Sequence, residues 1–394
     1  MMLKDFSFQA SFMGLLAAFV GFTSSFAIVL QGLTAVGATE LQAASGLFAL
    51  SMAMGIAGIL LSVIYRMPIS AAWSTPGAAL LATSGVVEGG FAGAVGAFLI
   101  CNIMIVIAGL WKPLGMAVSK IPSSIANAML AGVLVSLCLA PVKAVAFDPA
   151  LGLPILIAWI VVGRFNKLFA VPAAFLAFIL VLIFGVDIPA DATSQLAASS
   201  AIPTEFVWPE FSVSAFIGIA LPLFLVTMAS QNIPGVAVLK VNGFEPKPGP
   251  LFAWTGGLSL LSAPFGGHGI NLAAITAALC AGQDANKDPT KRYWAAIMSG
   301  IGYVVFGLLA GVVTTLVGLA PSILIHAVAG LALIGAFSAS AMAAFKESED
   351  REAAAVTFLF TASGISFWGI SGAFWGLLAG GLVYLFTRRE KKEV

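Results

Sequence analysis

The chain has 394 residues, 60% of them hydrophobic and 9% charged, with a formal net charge of +1. Soluble globular proteins carry about 25% charged residues, so a large soluble fold is excluded, and no nucleic-acid partner is expected. The partner this composition demands is the lipid bilayer.

In chain order, apolar stretches recur near 12–33, 41–64, 70–85, 91–110, 122–141, 149–163, 168–186, 211–231, 250–262, 266–281, 292–313, 321–343, 353–367 and 369–387. A hydrocarbon core about 30 Å thick needs roughly 20 apolar residues at ~1.5 Å rise each, so several of these are too short for a complete crossing. Backbone groups cannot go unpaired in hydrocarbon, which leaves helices or a closed barrel. The runs exceed barrel strands in length, and helices are expected. The fold class is therefore an all-α polytopic membrane protein with 14 transmembrane segments. The first run continues through Gln31 as a full span, so a cleaved signal peptide is not expected. Cys101, Cys138 and Cys280 lie within apolar runs at irregular positions and read as small buried hydrophobes; neither a metal site nor a cofactor is expected.

Cytoplasmic loops collect Lys and Arg. Fourteen spans put both termini on one face and leave only Lys143 of the 18 Lys and Arg residues on the other. Both termini are thus expected to be cytoplasmic.

The longest polar stretch, Asp187 to Glu210, leaves seven spans on each side. Since seven is odd, the second half begins on the opposite face, and related halves form an inverted repeat. Pro122-Ser-Ser-Ile-Ala-Asn127, opening the fifth span, is similar to Pro321-Ser-Ile-Leu-Ile-His326, opening the twelfth. The third and tenth spans match in kind: Trp73-Ser-Thr-Pro-Gly77 and Pro264-Phe-Gly-Gly-His-Gly269 each resist helix and lead into a short helix-forming run. Gly and Pro also serve packing and kinks in membrane helices, but breaks at symmetric positions point to a transporter's binding site. A half-helix starting at mid-membrane presents unpaired N–H groups and the positive end of its dipole, which an anion satisfies.

Ala72-Trp-Ser-Thr-Pro-Gly-Ala-Ala79, Val226-Thr-Met-Ala-Ser-Gln-Asn232 and Phe265-Gly-Gly-His-Gly-Ile-Asn-Leu-Ala-Ala-Ile-Thr276 resemble the benzoate:proton symporter (BenE) family of bacteria, over essentially the whole length. The family is similar in architecture to nucleobase permeases and to sulfate and bicarbonate transporters. The resemblance implies a 7+7 inverted repeat: 1–190, an extracytoplasmic connector 191–210, and 211–394. It implies a core domain (spans 1–4 and 8–11, about 12–110 and 211–313) and a gate domain (spans 5–7 and 12–14, about 122–186 and 321–387). The third and tenth spans then cross as short strands at the substrate site. The implied function is proton-coupled import of benzoate or a similar small aromatic carboxylate by alternating access, in the bacterial inner membrane. Relatives with this architecture are often dimers, which suggests a homodimer through the gate domain. The nucleobase permeases usually carry a Glu after the Val-Thr-x-Ala stretch of the eighth span. Here Ser230, Gln231 and Asn232 stand instead, and hydroxyls and amides can donate to a carboxylate that a buried Glu would repel.

No Asp or Glu is expected deep in a span, and a centred charge costs roughly 2.5–3.5 kcal/mol on insertion scales. That leaves His268 and His326 as deep titrating groups. His268 lies between two glycines in the broken tenth span; it is expected to bind the coupling proton and pair with the substrate carboxylate, the alternative being a neutral imidazole bonded to a strand carbonyl. For His326 an interhelical hydrogen bond is expected. The anion cradle would comprise backbone N–H groups and hydroxyls at Ser74, Thr75 and Gly77 facing Gly267, Gly269 and Asn271. Gln231 and Asn232 would close it, just before Pro234-Gly235, which are expected to break the helix. Trp73 and Phe265 are nominated for the ring. Ser24 and Ser25 either join the site or bond back to their own helix.

Competing classes are a carrier for another organic anion or a nucleobase, an anion channel, and an intramembrane enzyme. An ATP-driven pump would need a Gly-x-x-x-x-Gly-Lys-Ser/Thr loop, and none occurs. An enzyme would want paired acids, a metal cluster or a nucleophile beside a base.

Overall fold

The computed structural model describes residues 5–390 apart from 112, 114–121, 188, 190, 274, 366 and 368–370. Helices dominate, and the one described sheet is a pair of three-residue strands. The first span is two helices, α1 (Phe8–Thr23) and α2 (Phe26–Ala35). They part where the hydroxyls of Thr23, Ser24 and Ser25 turn back to the carbonyls of Phe19, Gly21 and Gly21, competing with the helix ladder. A capping box, Thr39 with Gln42, starts α3 (Glu40–Tyr65), satisfying two orphan donors reciprocally. Then come β1 (Ala71–Trp73), α4 (Thr75–Ser84) and α5 (Gly90–Leu110).

The next layer is α6 (Ser123–Cys138), α7 (Ala140–Phe147), α8 (Pro149–Phe165) and α9 (Ala170–Gly185), followed by a short α10 (Ala192–Ala198). Helix α11 runs from Val213 to Val241. It is followed by α12 (Pro248–Ser262), β2 (Ile270–Leu272), α13 (Ile275–Ala281), α14 (Tyr293–Leu308), α15 (Ala310–Gly318), α16 (Ser322–Ala344), α17 (Arg351–Ala362) and α18 (Gly372–Glu390). Seven of these spans are long and apolar enough to cross a membrane, counting α1 with α2 and α6 with α7, and α14 with α15, bent by 54°, makes an eighth. The protein is therefore a multi-pass membrane protein. The remaining expected spans correspond to shorter helices and to the two strand–helix units.

One expectation is corrected in α11. Pro234-Gly235 does not end the helix, which continues to Val241. Instead the ladder widens into a π turn at Met228–Asn232, with Ile233 N–H reaching Met228 O immediately before the proline. The same device precedes Pro222, where Phe216–Ala220 is a π turn and Leu221 N–H reaches Phe216 O. A proline ring clashes with the carbonyl four residues back and cannot pair it, and a widened turn relieves that crowding. Behind Pro222 that carbonyl is Gly218 O, which accepts from Ser371 Oγ at 3.2 Å.

Two packing groups emerge. Helices α1 and α3 pack on α14, and α5 on α12, whereas α6 packs on α16 and α17, α17 on α18, and α8 on α9. The α3–α14 approach is close because a Cβ on Gly55 would lie 2.7 Å from Gly300 O, and one on Gly300 2.6 Å from Gly55 O. Such small-residue contacts hold membrane helices together where no hydrophobic force acts between them. The two similar Pro-Ser motifs start α6 and α16 alike: Pro122 (φ −56°, ψ 126°) and Pro321 (φ −52°, ψ 125°) are the respective N-caps.

The polar connector is a strap rather than a loose loop. Glu205 N–H donates to Ser45 Oγ, Val207 N–H to Pro264 O and Glu210 N–H to Ala92 O. At the far end of α13, Arg292 is buried and donates to Asn286 O (2.7 Å), Ala281 O (2.9 Å) and Lys287 O (3.5 Å). It offsets the carbonyl end of that short helix. Arg292→Ala leaves these acceptors unpaired in a buried place, at about 1–3 kcal/mol for such a group. The expected result is a clearly lowered melting midpoint in detergent, which Arg292→Lys, lacking the planar fork, restores only in part.

Candidate functional site

The two broken spans cross at mid-molecule. β1 and β2 pair antiparallel in the register Ala71 with Leu272, Ala72 with Asn271 and Trp73 with Ile270. The crossing is pinned from α12 and α11: Ser259 Oγ accepts from Ile270 N–H at 2.8 Å, and Asn232 Oδ1 from Leu272 N–H at 3.0 Å. Helix α4 leaves the crossing from its N-cap Ser74, whose Oγ accepts from Gly77 N–H at 3.1 Å and from Thr227 Oγ1 at 2.8 Å.

Beside the crossing lies a cavity of about 390 Å³, within the ~300–1,000 Å³ range of small-molecule sites. Its polar lining comes from Ser24, Ser25, Thr75, Gln231, Thr276 and Tyr303. Opposite these stand only apolar residues of α6 and α16, namely Leu134, Ala332, Leu333, Gly335, Ala336 and Ala339. No Asp, Glu, Lys, Arg or His lines it among the described residues. Thr75 is the first residue of α4 and Pro76, which has no N–H, the second. Among the described residues neither the N–H nor the hydroxyl of Thr75 has a hydrogen-bond partner, so both remain available to a ligand at the positive end of the helix.

Of the residues nominated from sequence, the cavity brings together Ser24, Ser25, Trp73, Thr75 and Gln231. Ser24 and Ser25 both bond back to Gly21 O, and both also line the cavity. Ser25 Oγ also accepts from Trp73 Nε1 at 2.8 Å, fixing an indole whose ring centroid lies 5.5 Å from that of Phe22.

The other nominees do not line the cavity. Ser74 and Gly77 satisfy each other, and a Cβ on Gly77 would lie 2.6 Å from Leu223 Cδ1. Asn232 is fully buried as the clamp on β2, and Asn271, with its amide turned to suit its neighbours, accepts from Ser74 N–H at 3.0 Å. Gly267 N–H donates to Ser262 O, and Gly269, at φ 132°, lets Asn102 approach so closely that a Cβ would stand 2.6 Å from its Oδ1. These residues build the crossing. Phe265 lies away from it, packed edge-on against Phe206 of the connector strap at 5.7 Å.

His268 is 1% exposed. Its Nε2 lies 3.1 Å from Ser74 O and its ring 6.3 Å from that of Phe98. A carbonyl only accepts, so Nε2 carries the hydrogen. The imidazole is thus bonded to the carbonyl that follows β1 and does not line the cavity. Nδ1 and the side-chain amide of Asn102 have no hydrogen-bond partner among the described residues. His326 is half-buried near the start of α16 and also lies outside the cavity.

Thr276 and Tyr303 were not nominated. Thr276 Oγ1 bonds Ser70 Oγ at 2.9 Å, and the Tyr303 hydroxyl reaches the cavity because Gly21 opposite has no side chain. Tyr303 had a sequence signal, being one of only four Tyr in the chain and placed in the middle of an apolar span.

The benzoate membrane transport protein (BenE) family matches residues 4–386. The chain belongs to the BenE family. Within it, the chain is 38% identical over 372 residues to the inner membrane protein YdcO of Escherichia coli, covering 94% of each chain. It is 33% identical over 396 residues to the benzoate membrane transport protein of Acinetobacter baylyi, covering 98% of this chain and 97% of that one. Among solved structures, the fold is similar to the transmembrane domain of the cyanobacterial bicarbonate transporter BicA, with TM-score 0.60, 16% identity, and 97% and 98% of the two chains covered. It is likewise similar to the murine anion transporter Slc26a9, with TM-score 0.60, 14% identity, and 97% and 69% covered. This BenE member is accordingly a membrane transporter and not an enzyme.

Proposed function

We propose that this chain imports benzoate or a similar small aromatic carboxylate together with a proton, as a secondary active carrier of the inner membrane. The observation that carries this reading is the unpartnered start of α4 at Thr75, opening into a cavity that also holds Trp73. A carboxylate at Thr75 meets a backbone N–H, a hydroxyl and the positive helix end without any fixed cation. Gln231, Thr276 and Tyr303 supply further hydrogen-bonding groups around it, and the indole offers a face to the ring.

The proposed architecture is fourteen spans in a 7+7 inverted repeat, 1–190 and 211–394 about the connector, with both termini cytoplasmic. The antiparallel crossing of β1 with β2 and the matched starts of α6 and α16 support it. The division into a core (about 12–110 and 211–313) and a gate (about 122–186 and 321–387) is supported by the two packing groups. Every polar lining residue belongs to the core portion, and the lining residues of α6 and α16 are apolar. A ligand held by the core then slides along a wall that offers it no hydrogen bond, which suits alternating access by relative movement of the two parts. A homodimer would form through the gate. His268, within the core and bonded to the residue preceding Thr75, is the proposed proton site.

The test is uptake of labelled benzoate by proteoliposomes under an inward proton gradient. Accumulation is expected to reach about tenfold per pH unit at 1:1 coupling and to collapse with a protonophore. A channel would only equilibrate the label, and competition by uracil at far lower concentration than by benzoate would overturn the substrate.

A further inference from the structure

Helix α16 presents Ala332, Gly335, Ala336 and Ala339 to the cavity, positions that share one helical face. Gly335 differs from the packing glycines of the same bundle. A Cβ on Gly330, five residues earlier on α16, would press on Leu137 O and Pro141, so there glycine is required by the neighbouring chain. A Cβ on Gly335 would meet nothing within 4 Å. Its backbone is not in the left-handed region either. Glycine inside a helix is destabilising relative to alanine, and neither packing nor conformation calls for it here. Two other helical glycines outside the left-handed region, Gly257 and Gly381, also have open Cβ positions, but they line none of the cavities described. What distinguishes Gly335 is the cavity in front of it.

We propose that Gly335 sets the size limit for the ring of the carried carboxylate. This rests on the function proposed above: with the carboxylate at Thr75, the ring points across the cavity, and the ring edge remote from the carboxylate meets α16. The space left by the missing side chain is bounded by Leu134, Ala332, Ala336 and Ala339, all apolar, so it accepts a hydrocarbon substituent and not a charged one. A para-alkyl group is the ligand feature that fits.

The experiment is equilibrium binding of labelled benzoate to the purified full chain, with competition by benzoate, 4-methylbenzoate and 4-tert-butylbenzoate. The proteins compared are the parent, Gly335→Ala, Gly335→Val and, as a glycine remote from the cavity, Gly257→Ala. Alanine favours the helix, so Gly335→Ala is expected to melt at or above the parent's midpoint. Its inhibition constant for 4-tert-butylbenzoate is expected to rise at least tenfold more than that for benzoate. Gly335→Val extends the loss to 4-methylbenzoate, and Gly257→Ala changes neither. Equal losses for all three ligands, or none, would overturn the assignment. A parent that binds no aromatic carboxylate at all would instead sink the function proposed above, and the size limit with it.

Discussion

Thr75→Asp is expected to abolish benzoate binding while leaving the protein folded. An acidic side chain in the first turn of a helix is stabilised by the dipole, which offsets part of the roughly 2.5–3.5 kcal/mol cost of a charge at depth. What it removes is the vacancy for an external anion. Two like charges about 4 Å apart at an effective dielectric of ~20 repel by about 4 kcal/mol, roughly a thousandfold in affinity. Thr75→Val, which keeps the N–H and loses only the hydroxyl, is expected to cost about 0.5–1.5 kcal/mol, up to some tenfold. Thr75→Ser should stay close to the parent. Binding of labelled ligand together with a melting curve separates these cases. If the aspartate variant bound benzoate within tenfold of the parent, the carboxylate could not lie at the start of α4.

The crossing itself was legible in the sequence because backbone chemistry announced it. The Gly/Pro-rich stretches Trp73–Gly77 and Pro264–Gly269 marked the two breaks, but the strands lie beside them rather than in them: β1 ends at Trp73, α4 already begins at Thr75, and β2 takes Ile270–Leu272 from the run expected to be helical. Trp73, Thr75 and Gln231 were legible for the same reason, lying beside the breaks. What could not be read was direction. Side-chain facing on a strand depends on register with its partner, and a shift of one residue reverses it. His268 lies just ahead of β2, beyond Gly269 at φ 132°, and its ring meets Phe98 rather than the cavity. Phe265 was misplaced because its neighbour, Phe206, comes from the connector strap, 59 residues away in sequence. Pro234 misled because a proline's usual effect on a helix can be absorbed by one widened turn upstream. The apolar wall of α16 carried no motif at all: alanines and a glycine look alike whether they face lipid, another helix or a ligand.

His268→Gln is expected to leave benzoate binding intact at neutral pH and to abolish proton-driven accumulation. Gln can keep the donor that reaches Ser74 O, so the strand crossing survives, but it cannot take up a proton. In the parent, protonation adds an N–H at Nδ1, and the unpartnered Asn102 Oδ1 beside Gly269 is an acceptor in the same buried layer. The described contacts of the imidazole are Ser74 O and the Phe98 ring, neither of them charged. The new positive charge would lie against Ser74, the residue preceding Thr75. Two unit charges roughly 8 Å apart at an effective dielectric of ~20 attract by about 2 kcal/mol, or about thirtyfold in affinity. Linkage fixes the sign: an anion that favours the protonated imidazole must itself bind more tightly as pH falls, and must raise the proton affinity by the same factor. The parent's benzoate affinity should therefore climb by up to about thirtyfold as pH falls through the imidazole titration, while that of His268→Gln stays flat. In proteoliposomes the variant should exchange benzoate across the membrane yet show no accumulation under a proton gradient. A variant that still accumulated benzoate with the parent's pH profile would move the coupling proton off His268.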